Sequence, residues 1–146
     1  MRTVFWEDHS VKMIDQRLLP ARFEIVSYHK YKEIAQAIKD MVVRGAPAIG
    51  AAAAFGLALA GFESTSDNLL DDLQNAAAVL KSARPTAVNL AWAVDRVMRV
   101  AYSVNGSSDD VRNAVLHEAQ KLADEDVEIN KRMAEYGAAL IEDGET

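Results

Sequence analysis

From Ala46 to Phe62 the chain runs without a charged or strongly polar residue. The run is rich in alanine and glycine, so it is helix-forming but only weakly apolar. It falls short of the roughly 20 apolar residues that a membrane span needs. A helix with no polar face must be covered on all sides. The small residues Ala51, Ala52, Ala53, Gly56, Ala58 and Ala60 let neighbouring backbones come close. The expected architecture is therefore built around one central, buried helix.

The remaining segments read as elements able to cover it. Thr3–Trp6 and Val11–Ile14 are strand-like, with Glu7–Ser10 as the turn between them. Arg22–Val26 alternates polar and apolar residues as a half-buried strand does. From Lys30 the period becomes helical, with Tyr31, Ile34, Ala35, Ile38, Met41 and Val42 on one face. That helix is expected to stop near Arg44–Gly45, where glycine is a common breaker. The central helix then runs from Pro47 to Phe62. Ser64–Asp67 is a loop with several possible N-caps. A third helix turns Leu69, Leu70, Leu73, Ala76, Ala77 and Leu80 inward and ends near Ser82. A fourth runs from Pro85 to Tyr102, its apolar set Val88, Ala91, Trp92, Val94, Val97, Met98 and Ala101. A long last helix spans 109–141, with Val115, Ala119, Leu122, Ile129, Met133, Tyr136 and Leu140 as its stripe and Asp126 interrupting it. Packing on its own domain is the favoured reading of that stripe, and lying along a partner the other. The fold class is α+β: a small three-stranded antiparallel sheet followed by a bundle of about five helices, the last one long.

Composition bounds the function. The chain has 146 residues, 50% of them hydrophobic and 26% charged, enough for one domain with a real core. Its net charge of -6 argues against general nucleic-acid binding, which needs a basic face. With no cysteine, disulfides, thiolate metal sites and cysteine nucleophiles are excluded within the chain. His9, His29 and His117 have no metal-ligand spacing, so no metal and no cofactor is expected. Met1–Asp8 lacks a secretory apolar core, and a cytoplasmic chain without membrane contact is the expectation.

Two corners carry what chemistry there is. Arg44 opens Arg-Gly-Ala-Pro-Ala-Ile-Gly, and Arg84 opens Arg-Pro-Thr-Ala-Val-Asn-Leu. Each arginine is followed by a proline and then by a helix-forming run. Free amides at a helix start carry partial positive charge, and an arginine upstream adds a planar, permanently charged fork. Two such corners in one small chain point to a bound phosphate. Gly45 lets a ligand approach the backbone, and Ala46 supplies an amide without bulk. Thr86 reads as a cap of the fourth helix, and Asn89 as either a pocket residue or a buried partner of a loop. Trp6 and Trp92 read as core. Asp71–Asp72 and Asp109–Asp110 sit in first helical turns, where acidic residues suit the dipole. No catalytic acid/base pair stands out.

Three segments together carry a resemblance: Trp6–Pro20, Val43–Gly50 and Arg84–Leu90. They resemble the S-methyl-5-thioribose-1-phosphate isomerases of methionine salvage. That family is grouped with the α, β and δ subunits of translation initiation factor 2B and with archaeal ribose-1,5-bisphosphate isomerase. The resemblance implies that residues 1–108 form an N-terminal β-plus-helical domain. Residues 109–146 would be a long connecting helix leading to an absent Rossmann-like domain. It assigns Arg44, Gly45, Ala46 and Arg84 to the substrate's phosphate end. The implied reaction converts 5-methylthioribose 1-phosphate to 5-methylthioribulose 1-phosphate, moving hydrogen from C2 to C1. The family's catalytic cysteine and aspartate belong to the second domain, the cysteine following a segment similar to Asp143–Thr146. The expectation is a truncated or split product with no catalytic residue of its own, inactive alone and completed by that domain in cis or as a separate chain. The full-length family is expected to be a homodimer. A non-enzymatic initiation-factor-2B-like regulatory or binding module, a ribose-1,5-bisphosphate isomerase fragment, and a helical interaction domain with structural arginines are the alternatives.

Overall fold

The computed structural model describes residues 2–65 and 67–141. Strands β1 (Val4–Glu7), β2 (Ser10–Ile14) and β3 (Ile25–Tyr28) form an antiparallel sheet in that order. Helices α1 (Tyr31–Lys39), α2 (Ala46–Glu63), α3 (Leu69–Ala83), α4 (Val88–Ser103) and α5 (Ser108–Ala138) follow. The expected α+β class is the observed one. The expected contents of residues 142–146, and of Ser66 in the capping loop, lie outside the described residues.

α2 is the axis of the molecule. Every residue from Ile49 to Gly61 is buried, and α1, α3, α4, α5 and the hairpin all pack on it. By length and composition α2 could cross a membrane, yet 72% of it is buried inside this fold. Glycines set how near its neighbours come. A Cβ on Gly50 would lie 3.1 Å from the Asn89 carbonyl oxygen and 3.3 Å from Ala93 Cβ, so α4 rests on bare backbone. A Cβ on Gly56 would meet Leu80 at 2.9 Å and Ile34 at 3.2 Å.

The sheet turns alternate residues to the core: Val4 and Trp6 from β1 and Val11 and Met13 from β2 on the side of α2, and Val26 and Tyr28 from β3, which meets α1. Trp6 stacks between Phe55 and Phe62, its ring centroid 6.3 Å and 5.8 Å from theirs. The third strand departs from expectation. It runs 25–28 rather than 22–26, and Phe23 and Ile25 face outward. Pairing sets this phase: Val26 lies opposite Met13 and Tyr28 opposite Val11, so those two turn inward. The hairpin turn is Asp8–His9, both with φ near +50° (50° and 53°), which matches the twist of the flanking strands.

α1 stops earlier than the glycine suggested. Met41 takes a left-handed conformation (φ 59°), its N–H donating to the Ile38 carbonyl, while the Val42 N–H donates to Ala37. These two bonds make a Schellman close with methionine in the place glycine usually holds. Val42 is buried from the joint, not from the helix, and Met41 is exposed.

α4 starts at Val88 rather than Pro85. Its buried set is Leu90, Ala93, Val94, Val97, Met98 and Ala101. Val88 and Trp92 stand out into solvent, so Trp92 is not core. α5 opens on a capping box: the Asp110 N–H donates to Ser107 Oγ, and the Ser107 N–H to the Asp110 carboxylate. Its first half packs through Val111, Val115, Ala119, Leu122 and Ala123. Beyond Val127 every described residue is exposed, including Ile129, Met133, Tyr136 and Leu140. The stripe thus divides: one half is core, and the other has no partner in this fold.

Candidate functional site

The first arginine corner is the six-residue joint between α1 and α2. Val42 and Val43 are buried and anchor it, while Arg44, Gly45 and Ala46 are exposed. Gly45 is the N-cap of α2 at φ 93° and ψ 128°, and its carbonyl accepts the first helical bond, from the Ile49 N–H at 2.9 Å. The amides of Ala46 and Ala48 therefore precede the helical ladder, and Pro47 between them has none to offer. No side chain caps this end, and its first turn holds no acidic residue. The Arg44 guanidinium has no hydrogen-bond or ion-pair partner among the described residues. What exists here is a helix start with free donors and an unneutralised cation, an arrangement suited to an anion.

The second corner is built differently. Arg84–Ala87 is a β-turn, closed by the Ala87 N–H on the Arg84 carbonyl at 3.0 Å. Pro85 takes the position that proline's fixed φ favours in such turns. The helix begins one residue later, with Ala87 as an N-cap that has no side-chain bond. Thr86 is thus exposed in the turn and does not cap α4. Asn89 is exposed, not buried. Arg84 is half-buried and likewise has no ion-pair partner among the described residues.

The two helix starts converge on α5. A cavity of about 450 Å³ opens between Pro47 and Gly50 of α2, Val88, Asn89 and Trp92 of α4, and Leu122 and Ile129 of α5. A second, of about 600 Å³, lies on the other side of α2's first turn, against Gly45, Ala48 and the 123–134 stretch of α5. Pro47 and Asp126 border both. Gly45 lines the second cavity directly; neither arginine lines either one. Asp126, which in the sequence merely interrupts a stripe, here sits at the junction, its carboxylate accepting from Asn130 at 3.0 Å. Among the described residues no cluster of three or more His, Asp or Glu is placed to hold a metal ion.

An ionic clamp joins α4 to α5 beside the first cavity. Arg96 donates to Glu118 at 2.6 Å and, through both terminal nitrogens, to Glu125 at 2.5 and 3.0 Å. Its guanidinium also lies 5.5 Å from the Trp92 ring centre. The bonds from Arg96 hold the Glu125 carboxyl below its usual range, and the two carboxylates raise Arg96 further. Sequence reading missed this residue, because Arg96 and its partners are 22 and 29 positions apart. Only the helix pairing makes them neighbours.

Behind the first corner, the turn after β2 supplies support. Asp15 is buried, and its carboxylate accepts from the Arg17 amide, Nε and Nη2. The Gln16 N–H donates to the Val42 carbonyl at 2.9 Å, and Gln16 Nε2 to that of Arg44 at 3.4 Å.

Comparison with known proteins bears on the fold and the family. Residues 42–146 match the Initiation factor 2 subunit family. A crystal structure of 5-methylthioribose 1-phosphate isomerase from Pyrococcus horikoshii superposes with a TM-score of 0.90 at 48% identity, over 96% of this chain and 40% of that one. The translation initiation factor eIF-2B subunit delta from A. fulgidus superposes at 0.91 with 46% identity, over 99% of this chain and 43% of that one. Methylthioribose-1-phosphate isomerase of Geobacter metallireducens is 45% identical over 99% of this chain and 43% of its own length. The chain thus spans about two-fifths of such relatives (40% to 43%). From the joint that carries Arg44 through its last residue, this chain belongs to the Initiation factor 2 subunit family.

Proposed function

We propose that this chain is the phosphate-gripping part of an aldose–ketose isomerase acting on 5-methylthioribose 1-phosphate. The observation that carries the reading is the Arg44–Gly45–Ala46 corner: a helix start with uncapped amides, no acidic neighbour in the first turn and a guanidinium that has no partner among the described residues. The isomerase names borne by relatives near 45–48% identity supply the substrate. Arg44, Gly45 and Ala46 hold the phosphate, and Arg84 approaches from the turn before α4. The chain offers no acid/base pair for moving hydrogen between C2 and C1, and it is inactive alone. A Rossmann-like domain supplies the cysteine and aspartate. It follows the long last helix, in cis or as a second chain, and covers the exposed apolar face of Val88, Trp92, Ile129 and Met133. The complete assembly is a homodimer.

The test is calorimetric titration of the chain with 5-methylthioribose 1-phosphate. Losing one charge-assisted hydrogen bond removes about 1.5–3 kcal/mol, so Arg44→Ala and Arg84→Ala should each weaken binding by about tenfold or more. Isomerisation should appear only when the partner domain is added. If both variants bind like the parent, the two-corner site is wrong. A second reading has an observation in its favour: the backbone matches a protein titled an eIF-2B delta subunit as closely as it matches an isomerase. A non-enzymatic module would show no phosphosugar binding and no activity with the partner domain.

A further inference from the structure

We propose that Gln16 is a positioning residue for the Arg44–Gly45 corner, holding it from the turn after β2 in the orientation that meets a phosphorylated ligand. The inference rests on the phosphosugar reading above and deepens it. Between the end of α1 and the start of α2 the backbone takes positive φ twice, 59° at Met41 and 93° at Gly45. No strand ladder stabilises this joint. Two of its carbonyls are instead taken by one residue: Val42 accepts from the Gln16 backbone N–H, and Arg44 from Gln16 Nε2.

The second bond matters for the site. The Arg44 carbonyl and the Gly45 N–H belong to one planar trans peptide and point in opposite directions. Holding the oxygen toward Gln16 therefore turns the Gly45 amide away from Gln16, and fixes the plane from which the Arg44 side chain leaves. Gln16 is itself held on a rigid base. Asp15, 4% exposed, takes three donors from Arg17, and its own N–H donates to the Glu24 carbonyl at 2.9 Å. The side-chain bond is long and solvent-facing, so it biases the peptide modestly and adds little to the stability of the fold. The backbone bond to Val42 survives any change of the Gln16 side chain.

The experiment compares the parent chain, Gln16→Met, Gln16→Glu and Arg44→Ala. Each is titrated with 5-methylthioribose 1-phosphate, with thermal unfolding and the Gly45 amide resonance recorded on the same samples. Methionine keeps the length and loses the donor. It should weaken binding about 2- to 3-fold, as loss of one long, exposed hydrogen bond implies. The Gly45 amide should shift and exchange faster, with the midpoint of unfolding within about 2 °C of the parent. Glutamate sets one acceptor against another and should weaken binding further. Parent-like affinity and an unmoved Gly45 amide in Gln16→Met overturn the positioning role. So does a loss of binding that comes with a general loss of stability, because that describes a structural residue. If instead the parent does not bind, or Arg44→Ala binds as the parent does, the phosphosugar reading falls and takes this inference with it.

Discussion

Replacing Gly45 with alanine separates backbone conformation from contact. A Cβ at this position meets nothing within 4 Å, so no neighbour needs to move. The difficulty is the chain itself, at φ 93° and ψ 128°. A side chain held in such a region costs about 1–3 kcal/mol. Alanine also narrows the unfolded ensemble, which returns about 0.4–1 kcal/mol. A net loss of about 1–2 kcal/mol follows, or a fall in unfolding midpoint of about 2–8 °C for a chain of this size. The alternative is relaxation: the joint turns to negative φ, stability is nearly kept, and the amides of Gly45 and Ala46 swing away from the ligand position. Urea unfolding followed by circular dichroism reads the first outcome, and phosphosugar titration of the same sample reads the second. Gly137→Ala is the control. It also meets nothing within 4 Å, but lies in helical backbone, and should be neutral or gain up to about 1 kcal/mol. If Gly45→Ala unfolds at the parental urea concentration and binds with parental affinity, the corner does not depend on its glycine and the geometric argument is wrong.

The Arg96 clamp should be worth more than a surface ion pair, because Glu118 is only 13% exposed and Arg96 16%. Arg96→Met should lower stability by about 2–4 kcal/mol, and adding Glu118→Gln should recover part of it, as a double-mutant cycle by urea unfolding would measure. Asp15 gives a pH dependence of known sign. Its bonds from Arg17 lower its pKa in the folded chain. Its contribution is therefore complete above the ordinary carboxylate value of about 3.9 and is lost as pH falls through the lowered native one. Asp15→Asn should flatten that part of the stability profile below about pH 4 in acid titrations monitored by near-ultraviolet dichroism. On α5, Leu122→Ala should cost about 2–5 kcal/mol, whereas Met133→Ser should stay within about 0.5 kcal/mol in the chain alone. Comparable losses for both would mean that the exposed half of α5 packs on this domain after all.

How much of this was legible in the sequence depends on whether the signal was local. The 46–62 run could be read at once, because absence of any polar face leaves a helix no option but the centre. Ile34, Ile38, Leu73, Leu80 and Val97 followed from periodicity and are all fully buried. The misreadings occur where tertiary pairing outranks local pattern. Arg22–Val26 alternates well, yet the inward phase of β3 is set by Val11 and Met13 on the neighbouring strand. Gly45 looked like the end of one helix but is the N-cap of the next, because Met41 had already closed α1. Pro85 looked like a first helical residue and is a turn residue, so the two corners share composition without sharing geometry. Arg44, Gly45 and Ala46 were singled out by their local motif, and they lie exposed at the joint before α2. Gln16 and Arg96 were not, because each acts on residues more than 20 positions away.

The divided stripe of α5 connects these pieces. A helical segment of some fifteen residues is marginal in water on its own, because its first turn is costly to form. The 124–138 stretch avoids that step, since the packed 108–123 half has already nucleated the helix and only propagation remains. Local pairs assist: Lys131 bridges Glu128 at 2.8 Å, and Asn130 caps back to Asp126. Arg96 then fixes the helix at Glu118 and Glu125, at the point where it leaves the body of the domain. Ile129, Met133 and Tyr136 are thus held out on a helical arm, beside a cavity whose other walls are the starts of α2 and α4. Solvation alone gives no reason to keep three large apolar side chains on one face of an exposed helix. The face that they form and the cavity at the start of α2 open in the same region. A domain docked on the arm would therefore close over the start of α2.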